Sequence, residues 1–165
     1  MKSLRVFLGL GSNVKPLQHL QSCQQYLNCS FKHIRYSSVY RSPAFGFDGA
    51  DFLNMVAEIT TAFSPMALKH WLQKIEDLHG RDRSKPRYSD RTLDIDLLFY
   101  GQHIIKQNEL YIPRQEITQR DYVLKPLAEL APDWVHPQHK KKLSTLWKAF
   151  SENNVVNLQR LENFS

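Results

Sequence analysis

Apolar positions recur along this chain with two different periods. Residues 5–10 form a nearly unbroken apolar run that stops at Gly11-Ser12-Asn13, the pattern of a buried strand ending in a turn. From Pro16 onward the period lengthens. Leu17, Leu20, Cys23, Tyr26 and Leu27 make a stripe that predicts a helix to about residue 28. Residues 31–40 are rich in aromatic and β-branched side chains and predict an irregular strand, and 52–61 predict another. Ser64-Pro65 is a helix start, with serine as cap and proline in the first turn. Leu68, Trp71, Leu72, Ile75 and Leu78 then form one apolar face, and Gly80 terminates the helix. Gln73 and Glu76 lie off that stripe, free to face a ligand or water. Residues 92–100 predict a strand, 101–109 a hairpin turn with a short strand, 119–130 a helix despite Pro126, and 140–150 a last helix.

That order mixes hairpin-like neighbours with helices. It predicts an α+β sandwich, an antiparallel-rich sheet with helices packed on it. The 165 residues suit one domain spanning 1–165, with no internal repeat or linker. Nine Phe, seven Tyr and three Trp supply a core and argue against disorder. Cys23 and Cys29, six apart with no second pair, fit neither a zinc motif nor a disulfide scaffold, which points to a reducing compartment. The apolar run behind the basic residues 1–5 is too short for a secretion signal, and no run approaches membrane-spanning length. The expectation is a cytoplasmic protein.

Charge narrows the partners. A net charge of +6 favours anionic ligands. Five cations, Arg81, Arg83, Lys85, Arg87 and Arg91, crowd the proline-containing loop 81–91. Directly after it comes Arg91-Thr92-Leu93-Asp94-Ile95-Asp96-Leu97-Leu98-Phe99. Strand alternation puts Leu93, Ile95, Leu97 and Phe99 on one face and the two aspartates on the other. Paired carboxylates repel, so something positive must offset them. Magnesium, a hard cation held by one or two carboxylates together with substrate phosphates, is the favoured reading, and a structural salt-bridge cluster with the loop arginines is the competing one. Arginine forks beside such a pair suit a phosphate group. The loop 41–50, with Phe45 and Phe47 beside two glycines, suits closure over a flat ligand. No G-x-x-x-x-G-K-[ST] loop, kinase catalytic loop or serine elbow is present, and Gly9-x-Gly11 lacks the third glycine of a dinucleotide fingerprint.

Taken together, Leu10-Gly11-Ser12-Asn13, Tyr40-Arg41-Ser42-Pro43, Phe52-Leu53-Asn54, Gly80-Arg81-x-Arg83, Arg91-Thr92-Leu93-Asp94-Ile95-Asp96, Pro113, Arg120, Pro126-Leu127 and Ala131-Pro132 resemble the hydroxymethyldihydropterin pyrophosphokinases of folate biosynthesis. The resemblance runs from about residue 6 to 137. It implies a ferredoxin-like α+β sandwich and transfer of pyrophosphate from ATP to the pterin hydroxymethyl oxygen, releasing AMP. It implies that Asp94 and Asp96 bind two magnesium ions and that Arg81 and Arg91 assist transfer. Gln73, Glu76, Arg83, Leu97 and Arg120 fall at nucleotide positions, with Arg114 placed to grip a phosphate. Ser42, Pro43, Phe45, Phe52, Asn54, Tyr88 and Tyr122 fall at pterin or lid positions, with the pterin stacked between Phe45 and Tyr122 and its edge read by Asn54. The implied partners are the pterin and ATP, with no nucleic acid, no membrane and a monomeric chain.

The chain departs from the pattern after Pro113. Arg114 and Gln115 stand where a histidine and an aromatic are usual, and Glu109 replaces a basic residue. Two other readings therefore compete. One is a pterin-binding paralogue with weak or altered nucleotide use. The other is a nucleic-acid-binding domain, suggested by the arginine loop and Lys140-Lys141-Lys142, which gives Asp94 and Asp96 no purpose.

Overall fold

A nine-residue strand, β1 (Leu4–Ser12), lies inside the sheet between two other strands, its apolar run buried on both faces. The computed structural model describes residues 2–164; Met1 and Ser165, the ends of the expected 1–165 domain, lie outside the described residues. The chain continues through α1 (Pro16–Ser30), β2 (Ile34–Tyr36), β3 (Tyr40–Ser42), β4 (Phe52–Thr61), α2 (Pro65–Leu78) and β5 (Asp94–Tyr100). There follow β6 (Ile105–Gln107), β7 (Leu110–Ile112), a 3-10 turn (Gln115–Thr118), α3 (Asp121–Leu130), α4 (Leu143–Asn153) and β8 (Gln159–Arg160). The main sheet runs β5-β1-β4-β3-β8 with β2 also on β4, and every pairing is antiparallel.

Helices cover both faces. Val6, Leu8 and Leu10 pack with Leu20, Cys23 and Leu27 of α1 and Leu68, Leu72 and Ile75 of α2. Phe7, Val56 and Phe99 on the opposite face pack with Leu124 and Leu127 of α3 and Leu143 of α4. The α+β sandwich expected from the sequence is therefore the fold observed. Ser64 caps α2 as expected, its hydroxyl accepting from the Ala67 N–H at 3.3 Å, and Gly80 follows with a φ of +80°.

Several local expectations change. The predicted strand 31–40 is split. The helix runs to Ser30, and β2 and β3 are separated where the Ser37 hydroxyl accepts from the Val56 N–H at 2.9 Å. That side chain replaces a backbone carbonyl in the ladder. The strand predicted at 92 begins at Asp94, because the Arg91 carbonyl accepts from the N–H groups of Asn13 and Val14 instead of joining a ladder. The stretch 101–109 holds β6, whose partner β7 lies just beyond it, and β8 was not anticipated. Helix α3 starts at Asp121 with Pro126 buried inside it, and α4 starts at Leu143 after a turn in which Lys140 has a φ of +57°.

The alternation along β5 also needs correction. Leu93, Ile95 and Leu97 do face α1 and α2, but Phe99 does not. Phe7 pairs with Phe99 and Leu8 with Leu97, leaving Leu98 as a bulge. Leu98 and Phe99 consequently both join the second core, and Tyr100 returns to the first.

Candidate active site

Helices α3 and α4 cover only part of their face of the sheet, and the uncovered part is the site. Its floor follows from sequence. Gly9 and Gly11 point to the same side as Phe7 and have no side chains to fill it. In register, Gly11 lies between Asn54 on β4 and Asp94 on β5, and Gly9 lies between Val56 and Asp96. The glycines open a groove with an amide on one bank and two carboxylates on the other. A Cβ on Gly11 would sit 2.6 Å from Asn54 Oδ1. We expect Gly11→Ala to push Asn54 aside and weaken binding of a ligand on that bank by roughly tenfold, the scale of a modest overpacking cost. Isothermal titration calorimetry of the variant against the wild type with a ligand of that bank checks this.

Two cavities meet at the aspartates. The larger, about 500 Å³, is lined by Ser42, Pro43, Phe45, Phe52, Asn54, Tyr88 and Tyr122, all the residues expected around a flat ligand. The smaller, about 170 Å³, is lined by Gln73, Glu76, Arg83 and Leu97, four of those expected around a nucleotide. Arg81, Asp94, Asp96 and Arg114 line both. Arg120 lines neither. Its guanidinium lies 3.8 Å from the centroid of the Phe45 ring, in a separate hollow beside α3. One face of Phe45 is thus covered by an arginine, and Tyr88 meets that ring edge-on at 5.5 Å.

Glu76 is not free to face solvent. It is 4% exposed, and its carboxylate accepts the Ile95 N–H at 2.8 Å. Strand β5 is the edge of the sheet, so its outward N–H groups need an acceptor that no neighbouring strand supplies. The same carboxylate holds Arg81 at 3.5 Å and Arg83 at 3.2 Å. Burial raises the pKa of Glu76 above the usual carboxylate range. The first arginines of the basic loop are in this way anchored to α2.

The remainder of that loop is organised by Arg91. Its guanidinium donates to the carbonyls of Pro86, Arg87 and Asp90 and to the Ser89 hydroxyl. Arg91 still borders the larger cavity. The two loops that flank the cavity touch each other. Tyr88 lies against Gly46, where a Cβ would come within 2.9 Å of the ring and where φ is +81°. Asn13 ties both loops to the end of β1, donating to Asp90 Oδ1 at 2.8 Å and to the Ala50 carbonyl at 3.2 Å.

The acidic pair is unevenly compensated. Arg81 reaches Asp94 at 3.0 Å, and Arg114 comes to 3.8 Å from Asp96 while donating to Glu116 at 3.1 Å. Burial first and the Asp94 charge second raise the pKa of Asp96. A second charge of opposite sign in the cleft would relieve that cost. Two carboxylates without a third ligand suit a cation that takes its remaining oxygens from a phosphate substrate, and among the described residues no group of three or more His, Cys, Asp or Glu is placed to hold a metal unaided.

Sequence reading missed the floor glycines and Glu116, while Phe47, expected with Phe45 to close over a flat ligand, does line the larger cavity. Glycines at two alternate positions inside an apolar strand were the available signal.

Two cavities that share a charged partition have the form expected of a small enzyme that moves a group between two bound molecules. The family model described as 7,8-dihydro-6-hydroxymethylpterin-pyrophosphokinase matches residues 7–132. The chain belongs to that family. It is 40% identical over 142 residues to a 2-amino-4-hydroxy-6-hydroxymethyldihydropteridine pyrophosphokinase of Synechocystis, covering 84% of this chain and 72% of the relative. It is 36% identical over 159 residues to the protein of the same name from Haemophilus influenzae, covering 94% and 98%. A crystal structure of Plasmodium falciparum HPPK-DHPS superposes with a TM-score of 0.79 at 13% identity. It covers 96% of this chain, which spans about half of that one, and it supports the fold alone.

Proposed function

We propose that the chain transfers pyrophosphate from ATP to 6-hydroxymethyl-7,8-dihydropterin, giving AMP and the pterin diphosphate, a step of folate biosynthesis. The observation that carries this reading is the pair of cavities joined at Arg81, Asp94, Asp96 and Arg114. The larger would take the pterin between aromatic side chains, with Asn54 offering both a donor and an acceptor to its edge. The smaller would take the nucleotide beside Gln73, Arg83 and Leu97.

In the reaction the pterin hydroxymethyl oxygen forms a bond to the β-phosphorus, the bond from that phosphorus to the α–β bridging oxygen breaks, and AMP departs with the bridging oxygen. The hydroxyl proton is released. The protein forms no covalent bond, so its contribution is positioning and charge. Asp94 and Asp96 would hold magnesium, which when bound neutralises negative charge on the transferring phosphates. Arg81 borders both cavities, where its guanidinium would donate to a phosphate oxygen. Arg91 would act by holding the loop in shape, with its guanidinium at the cavity wall. We read residues 1–165 as one catalytic unit, working as a monomer in the cytoplasm; no helix among the described residues is long and apolar enough to cross a membrane.

The test is direct. The purified protein is incubated with ATP, magnesium and hydroxymethyldihydropterin, and AMP and pterin diphosphate are measured. We expect AMP only when pterin and magnesium are both present. Tight pterin binding by calorimetry without AMP formation would instead identify a binding paralogue with altered nucleotide use.

A further inference from the structure

Each carboxylate of the acidic pair already has an arginine. Arg81 lies 3.0 Å from Asp94 Oδ1 and Arg114 lies 3.8 Å from Asp96 Oδ1. The two arginines differ in how they are held. Arg81 has a side chain only 16% exposed and also contacts Glu76 and the Leu93 carbonyl. Arg114 is 37% exposed, and its other tether is Glu116 on the adjoining 3-10 turn. Glu116 in turn is reached at 3.4 Å by Arg87 from the basic loop. Arg114 therefore has a long contact to Asp96 and a closer one to Glu116. It also lines both cavities, so its guanidinium borders an anion held in either.

We infer that Arg114 is a displaceable counter-ion: it neutralises Asp96 in the nucleotide-free protein, opposes metal uptake there, and moves onto the nucleotide phosphates when metal and nucleotide enter together. This rests on the reading of Asp94 and Asp96 as the metal-binding pair. Its consequence is an order of binding. The free protein takes up divalent cation poorly, and the nucleotide brings the cation in because it gives the arginine a new anion. Arg114 would thereby link metal and nucleotide occupancy through one side chain.

The experiment is a titration of the nucleotide-free protein with Mn2+, followed by electron paramagnetic resonance, on wild type, Arg114→Gln, Arg114→Lys and Asp96→Asn. Circular dichroism melts confirm that each variant is folded. We expect Arg114→Gln to bind Mn2+ roughly fivefold more tightly than wild type, the scale of one solvent-screened charge interaction at this range. Arg114→Lys should stay within about twofold of wild type because the charge is kept. The same Arg114→Gln protein should bind ATP with Mn2+ more weakly. This pair of opposite signs is not produced by a merely structural role. If Arg114→Gln binds Mn2+ no more tightly while Asp96→Asn loses it, the counter-ion inference is wrong and the metal assignment stands. If Asp96→Asn binds Mn2+ as well as wild type does, the metal assignment itself fails and this inference falls with it.

Discussion

Replacing Asp94 by alanine is expected to lower kcat for pyrophosphate transfer by roughly a thousandfold or more, the scale seen when charge stabilisation is removed from a developing transition state. The loss should not reflect unfolding. Asp94 opens β5, its side chain is 36% exposed, and its ion pair is with Arg81, which keeps Glu76. Exposed or half-exposed pairs contribute about 1 kcal/mol or less to stability. A thermal melt within a few degrees of wild type, together with an AMP assay at background, is the predicted combination. Turnover close to wild type in a folded Asp94→Ala protein would remove the acidic pair from the mechanism.

The second large effect is on stability. Glu76→Ala should destabilise the protein by about 3 kcal/mol, because it strips the acceptor from the Ile95 N–H and removes the buried carboxylate that holds both Arg81 and Arg83. Glu76→Gln should cost less. The amide oxygen still accepts from Ile95, and the charge it removes is one that burial already disfavours, as the raised pKa shows. Denaturant unfolding of both variants measures this ordering. An alanine variant as stable as the glutamine variant would mean that the Ile95 contact contributes little.

Glu76 also shows where the sequence could be read and where it could not. The apolar stripe of α2 placed Leu68, Leu72 and Ile75 in the core correctly, since helical spacing is a local property. The same wheel put Glu76 outside it. What buries Glu76 is the unpaired edge of β5, and which strand lies at an edge depends on pairings between distant segments. The facing of Asp94 and Asp96 was legible for the opposite reason, because alternation needs only the neighbouring residues. It failed at Phe99, where a bulge set by pairing with β1 intervenes. The membership of both cavities followed from the family resemblance for most residues. Arg120 and the free faces of Phe45 did not, since a guanidinium stacked on that ring is a contact between α3 and a loop. The glycine floor was visible as two glycines in an apolar run, but its meaning required knowing that Asn54 and Asp94 flank one of them.

The bulge at Leu98 makes insertions and deletions along β5 unequal in evolution. Removing a residue between Asp94 and Leu97 would shift the strand by one and turn one or both aspartates into the packed layer above α1 and α2. Removing Leu98 alone would leave Asp94, Asp96, Phe99 and Tyr100 each on its present side, at the expense of one buried side chain that lies beside Gly9. Length variation among descendants of this chain should therefore be confined, within this strand, to that single position.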